Sequence, residues 1–122
     1  MSQIDILPTL CDYAGIKTSV QFTGKSLRPV IENENADWRT YLIVELADFK
    51  PDSLRKGRMI RSTDFKYNVY SQGMNNEQFF DLKNDPGETH NLIQDTTYQD
   101  EIKWHKRRLK ELISQTNDVF EF

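Results

Sequence analysis

Four short apolar or alternating runs between residues 41 and 82, each set off by turn-forming residues, and one long amphipathic pattern near the C-terminus predict an α+β fold. The expected architecture is a small antiparallel sheet of about four strands with a long C-terminal helix packed on one face, preceded by a short N-terminal helix. At 122 residues the chain has material for one modest core and not for two.

Residues 5–15 read as the short helix, with Asp5 at the N-cap, Pro8 in the first turn where its missing N–H is harmless, and Gly15 as C-cap. Ile6, Leu7, Leu10 and Ala14 share one face of it, and a face that apolar must bury against something. Residues 23–27 read as a turn, and Pro29, Val30 and Ile31 lead into the polar run 32–37. A boundary placed there divides the chain into a tail segment, 1–36, and a domain, 37–122.

Residues 41–46 form an apolar, β-branched run expected as a buried central strand. Residues 48–57 are polar and hold Pro51, which reads as a loop of the kind that carries function. Strands follow at 58–62 and 65–70, joined by a tight turn at Thr63 and Asp64. In the second of them Phe65, Tyr67 and Val69 alternate with Lys66, Asn68 and Tyr70, the period of a sheet with one wet face. Residues 71–76 give the next hairpin and 77–82 the last strand, after which Asn84, Asp85, Pro86 and Gly87 reverse the chain. Proline presets its own φ there, and glycine accepts a positive φ at no steric cost.

The final helix puts Tyr98, Ile102, His105, Leu109, Leu112, Ile113 and Thr116 on one face, with Thr97 as N-cap and Asp100 three residues on. Trp104 lies off that stripe, more than roughly 90° from Ile102, His105 and Leu109 at about 100° per residue. A large aromatic outside the domain's own core points either to contact with another surface or to a partly shielded surface tryptophan.

A formal charge of −3 argues against a nucleic-acid footprint. Cys11, the single cysteine, has no internal disulfide partner and reads as a small buried hydrophobe within the first helix. No apolar run approaches the ~20 residues that span a bilayer, and no basic-then-apolar leader opens the chain. The basic run Lys106, Arg107, Arg108, Lys110 is open to two readings, a phosphate, sulfate or acidic-glycan patch and a solvated helix face; its acidic neighbours and the overall negative charge favour the second. His90 and His105 lack a second metal ligand at a suitable spacing, and His105 on the apolar stripe is expected to be a packed histidine bonded to a backbone carbonyl. Lys83 and Pro86 interrupt the oxygen pattern of a calcium loop at Asp81, Asp85 and Glu88, which favours a turn bonding its own backbone. There is no Gly-rich phosphate loop, no Gly-x-Ser-x-Gly elbow and no His-Glu-x-x-His.

Three stretches carry a more specific signal: Asp5-Ile-Leu-Pro-Thr-Leu with Ala14-Gly-Ile and Gly24-Lys-Ser-Leu-Arg-Pro; Arg58-Met-Ile-Arg-Ser-Thr-Asp-Phe-Lys-Tyr; and Glu77-Gln-Phe-Phe-Asp-Leu followed by Asn84-Asp-Pro-Gly-Glu and Asn91-Leu. In this order they resemble the C-terminal end of type I sulfatases, particularly bacterial glycan sulfatases of the heparan N-sulfatase and N-acetylglucosamine-6-sulfatase kind. Ser62 stands where threonine is usual and Phe65 where tyrosine is usual. The resemblance implies a sulfuric ester hydrolase as parent, with a formylglycine nucleophile and a divalent cation, usually calcium. Neither is expected in this chain, because Cys11 is followed by Tyr13 and Gly15 where the formylglycine motif needs Pro or Ala and then Arg.

The chain is therefore expected to be inactive alone, to buttress an N-terminal catalytic domain through Ile6, Leu10 and Trp104, and to lend loops to the cleft for a sulfated glycan. A periplasmic or secreted location is implied by the resemblance alone. The alternative expectation is a stand-alone glycan- or protein-binding module, supported by Trp104, the 48–57 loop and the basic helix face.

Overall fold

The structure, a computed structural model, describes residues 2–47, 55–116 and 118–122. The loop expected at 48–57 thus lies outside the described residues except for its last three. The chain divides into two compact units, Met1–Arg39 and Thr40–Phe122.

In the first unit a one-turn 3-10 helix, Gln3–Asp5, runs into α1, Ile6–Tyr13. Gly15 ends α1 with φ +66°, which lets the Ile16 N–H reach the Cys11 carbonyl at 2.9 Å and the Gly15 N–H reach that of Asp12 at 3.2 Å. Asp5, expected to cap the helix, makes no cap bond to it. Because the 3-10 turn already leads the chain into α1, the Asp5 carboxylate is turned to other donors: the N–H groups of Ser2 at 2.9 Å and Lys25 at 3.0 Å, and the Arg39 guanidinium. Thr9 completes the pin, donating to the Asp5 carbonyl at 2.6 Å and accepting from the Leu27 N–H at 2.9 Å. Gly24 allows this approach, since a Cβ there would sit 1.9 Å from the Ile4 carbonyl oxygen. A short helix absent from the sequence expectation, α2 (Arg28–Glu32), follows, with Arg28 and Glu32 ion-paired at 2.8 Å.

The second unit is a four-stranded antiparallel meander, β1 (Leu42–Ala47), β2 (Lys56–Arg61), β3 (Phe65–Tyr70) and β4 (Glu77–Asp81), paired in sequence order. The run expected as a central strand is therefore an edge: in the order β1-β2-β3-β4, β1 is paired with β2 on one side only. Register aligns Ile43, Ile60, Tyr67 and Phe79 across all four strands. Over this row lies α3, Gln99–Gln115, with Ile102, His105 and Leu109 buried. Ile60, Tyr67, Val69, Phe79, Ile102 and Leu109 form the core together with Phe120 from the C-terminal tail.

Two expectations about the sheet and helix ends need correction. The face opposite α3 is not simply wet. Asn68 is 6% exposed, bonded to Gln78 at 3.2 Å, and Phe80 is as buried, beneath the Lys66 ammonium. Thr97 is not the N-cap of the last helix either; it lies inside a 3-10 turn, Thr96–Tyr98, and Asp95 caps that turn by accepting from the Thr97 N–H at 2.8 Å.

The tail is fastened by charge. Arg58 donates from Nε and Nη2 to both carboxylate oxygens of Asp118, at 2.6 and 2.8 Å, and from Nη1 to the Gly57 carbonyl at 2.8 Å, while its guanidinium lies 4.8 Å over the Phe120 ring. The Arg58 bond holds the Asp118 carboxyl below its ordinary range. Removing one partner strands the other charge in a mostly desolvated place. Arg58→Ala should therefore cost about 3 kcal/mol in urea unfolding, and the Arg58→Ala/Asp118→Ala double variant should cost clearly less than the sum of the singles. Additivity within about 0.5 kcal/mol would contradict this account.

Candidate functional site

Three polar constellations flank α3, and each consumes its own members. His105 is 3% exposed, its Nδ1 lying 2.7 Å from the Glu101 carbonyl and its Nε2 3.0 Å from Ser62 Oγ. A carbonyl only accepts, so Nδ1 carries the proton of a neutral ring, the packed, carbonyl-bonded histidine expected from its place on the stripe. Burial pushes its pKa below the ordinary value, against the opposing pull of the Glu101 carbonyl. Tyr67 donates its hydroxyl to Glu77 at 2.8 Å, and Lys106 pairs with the same carboxylate. Burial, then the Glu77 bond, push the Tyr67 phenol far up, whereas Lys106 and Tyr67 outweigh burial and keep Glu77 ionised below its usual range.

Asp81, the third, accepts from the N–H groups of Lys83 and Asn84 at 3.1 and 3.0 Å, from the Asn84 amide at 2.7 Å and from the Tyr98 hydroxyl at 3.3 Å. In the turn beyond it, Asp85 accepts from His90 N–H and Thr89 Oγ1, and Glu88 pairs with Lys66. The three carboxylates are thus engaged by the turn and its neighbours. The left-handed residue of this turn is Glu88, φ +55°, and not Gly87 as expected, with the Lys66 pair holding the glutamate in place.

No three His, Cys, Asp or Glu side chains converge among the described residues. Cys11 sits half-exposed within α1. Cys11, followed by Tyr13 and Gly15, does not fit a formylglycine motif, and the described residues gather no ligand set for the cation beside one.

The sequence-singled residues separate. Ile6 and Leu10 are exposed on α1, at 52% and 61%, alongside Leu7, Tyr13 and Ile16. In that unit only Asp5 and Pro8 are buried among the described residues, so the apolar face of α1 has no core of its own unit beneath it. Trp104 retains 37% exposure. Its ring is edge-on to Tyr41 at 6.2 Å and to His105 at 4.8 Å. Beside it Tyr41, Arg107, Arg108 and Glu111 line an open groove of about 430 Å³.

Sequence reasoning did not assemble this groove, although Trp104, Arg107, Arg108 and Glu111 stand at i, i+3, i+4 and i+7, a second stripe with the period of the first. The basic run divides around the helix. Lys106 lies over Tyr67 and Lys110 over Phe122 on one flank, while Arg107 and Arg108 turn to Glu111 on the other.

The meander with one long helix across it defines a small α+β domain. Residues 1–115 match the family model described as N-sulphoglucosamine sulphohydrolase, C-terminal, and the chain belongs to this family of C-terminal sulfatase domains. It is 35% identical over 118 residues, 96% of its length, to a Δ4,5-hexuronate-2-O-sulfatase of Bacteroides thetaiotaomicron, and covers 24% of that protein. Among solved structures it resembles a 2-O GAG sulfatase, with TM-score 0.84 and 35% identity over 93% of this chain and 25% of that one. It also resembles a protein solved with its substrate D-glucosamine-2-N,6-O-disulfate, with TM-score 0.81 and 30% identity over 94% of this chain and 24% of that one. The chain thus spans about a quarter of the length of these relatives.

The buried imidazole has a pH signature. His105's folded pKa lies below its unfolded value of about 6.5, so the unfolded chain binds more protons as pH falls. Its contribution to stability is complete above that value and declines below it. His105→Gln should flatten the fall in unfolding free energy between about pH 7 and pH 5 relative to the parent sequence; parallel curves would refute the neutral, buried assignment.

Proposed function

We propose that the chain is the C-terminal subdomain of a sulfuric ester hydrolase acting on sulfated glycans, in which it buttresses a catalytic portion of the same polypeptide and borders its cleft. Membership of the C-terminal sulfatase family over residues 1–115 carries the reading. In this reading the formylglycine nucleophile and its cation belong to the portion of the relatives that this chain does not cover, and the location is periplasmic or extracellular. The exposed apolar face of α1, with Ile6 and Leu10 at its centre, suits docking on that portion, because an apolar helix face without a core gains most from a partner surface. Trp104, expected at the same contact, keeps 37% of its surface exposed beside Tyr41, Arg107 and Arg108, and tryptophan, tyrosine and arginine are residue types enriched at interfaces.

The 122-residue chain should hydrolyse an aryl sulfate no faster than a blank without protein. Turnover above that blank would sink the division of labour. Ile6→Ser with Leu10→Ser should change the unfolding free energy of the chain alone by less than about 0.5 kcal/mol, since both side chains are already wet. In the longer protein that carries the sequence, the same pair should lower Tm and sulfatase activity together. An unchanged longer protein would remove α1 from the interface.

A further inference from the structure

The groove beside Trp104 combines two kinds of surface that a merely solvated helix face does not need together. Tyr41 and Trp104 form a corner of aromatic rings at 73° to each other, with Trp104 37% exposed. Arg108 is held at its wall: its guanidinium lies 4.8 Å over the Tyr41 ring, bonds the Tyr41 hydroxyl, and sits 2.7 Å from Glu111 Oε2. Arg107 is held loosely, 72% exposed, with Nε 3.9 Å from Glu111 Oε1, beyond hydrogen-bond length. Two guanidinium groups face one carboxylate, so the groove keeps a net positive charge, and its volume of about 430 Å³ lies within the range of small-molecule sites.

We propose that this groove binds one residue of an anionic saccharide, with the apolar face of the sugar ring against Trp104 and its sulfate or carboxylate on Arg107. The chemistry follows from the parts. A pyranose offers a C–H face that an aromatic ring covers well, and a planar guanidinium receives a sulfate or carboxylate on two parallel N–H donors. Tyr41 and Glu111 fix Arg108, so the wall is ordered before a ligand arrives, and Arg107 is the group left to close on it. A neutral saccharide would find the ring but leave the charge unused, and a free anion would find the charge but leave the ring unused. The assignment rests on the groove's own residues and is tested apart from the hydrolase reading.

The test is a titration of the 122-residue chain, followed by amide and indole NMR shifts, with four probes: a heparin-derived sulfated tetrasaccharide, a non-sulfated glucuronate-containing tetrasaccharide, neutral maltotetraose and inorganic sulfate. The sulfated or the uronate probe should move the Trp104 indole and the backbone of Tyr41 and residues 104–111. Arg107→Gln, a change at an exposed position that leaves Tm unaltered, should weaken that binding about tenfold. Which of the two charged probes binds more tightly identifies the favoured anion. Four results would overturn the proposal: no shifts up to about 10 mM of either charged probe, equal binding of maltotetraose, the same shifts with inorganic sulfate at the same concentration (an adventitious ion only), or undiminished binding in Arg107→Gln.

Discussion

Ile102, His105 and Leu109 of α3 desolvate the cross-strand row Ile43, Ile60, Tyr67 and Phe79, and the two flanks of α3 take their positions from that contact. A fully buried aliphatic or aromatic side chain contributes about 1.5–3 kcal/mol, and Ile60, Tyr67, Phe79, Ile102 and Leu109 are all buried in this seam. It also fixes the rotation of α3. With the buried stripe facing the sheet, Lys106 reaches Glu77 on one flank while Trp104, Arg107 and Arg108 are turned toward Tyr41 on the other. His105 belongs to this seam as a shape-filling group, stacked edgewise at 5.4 Å on Phe79, and its two nitrogens serve to satisfy themselves in a dry place.

Residues 1–39 follow a different physical plan. Where the second unit has a core, the first has pins: Asp5 to Ser2, Lys25 and Arg39, Thr9 to Leu27, and Asp12 to Ser26 at 2.6 Å. Hydrogen bonds of this kind set geometry and contribute about 0.5–1.5 kcal/mol each between neutral groups and about 1.5–3 kcal/mol where a carboxylate accepts. Their effect is to hold α1 in a defined shape with its apolar residues outward, and this fits a surface prepared for another portion of a longer polypeptide. The family assignment and the exposure of α1 thus bear on one reading from two directions.

The strands and the last helix were legible because their signals are local. Alternation in residues 65–70 and the three-and-four spacing from Tyr98 onward depend on neighbours a few positions away, and observed bounds fall within about two residues of the expected ones. What was not legible is long-range or competitive. The Arg58–Asp118 clasp joins residues 60 apart, and nothing in either local sequence announces the other. Asp5 looks like a helix cap because Asp often is one, but Lys25 and Arg39, remote in sequence, take its oxygens. Thr97 looked like the cap of the last helix, but Asp95, two residues earlier, caps a 3-10 turn that holds Thr97 and leads into α3. α2 is too short for any period to show, and the Trp104 stripe was visible at i, i+3, i+4 and i+7 but does not look apolar.

The most direct measurement of the central claim, that residues 40–122 hold themselves together while α1 is built for a partner, is amide hydrogen exchange on the chain alone and within the longer protein proposed to carry it. The account predicts that amides of Ile102 to Leu109 exchange only through global unfolding in both, while those of α1 exchange much faster in the chain alone and become protected in the longer protein. Protection of α1 equal to that of α3 in the isolated chain, or α1 amides equally fast in both, would contradict it.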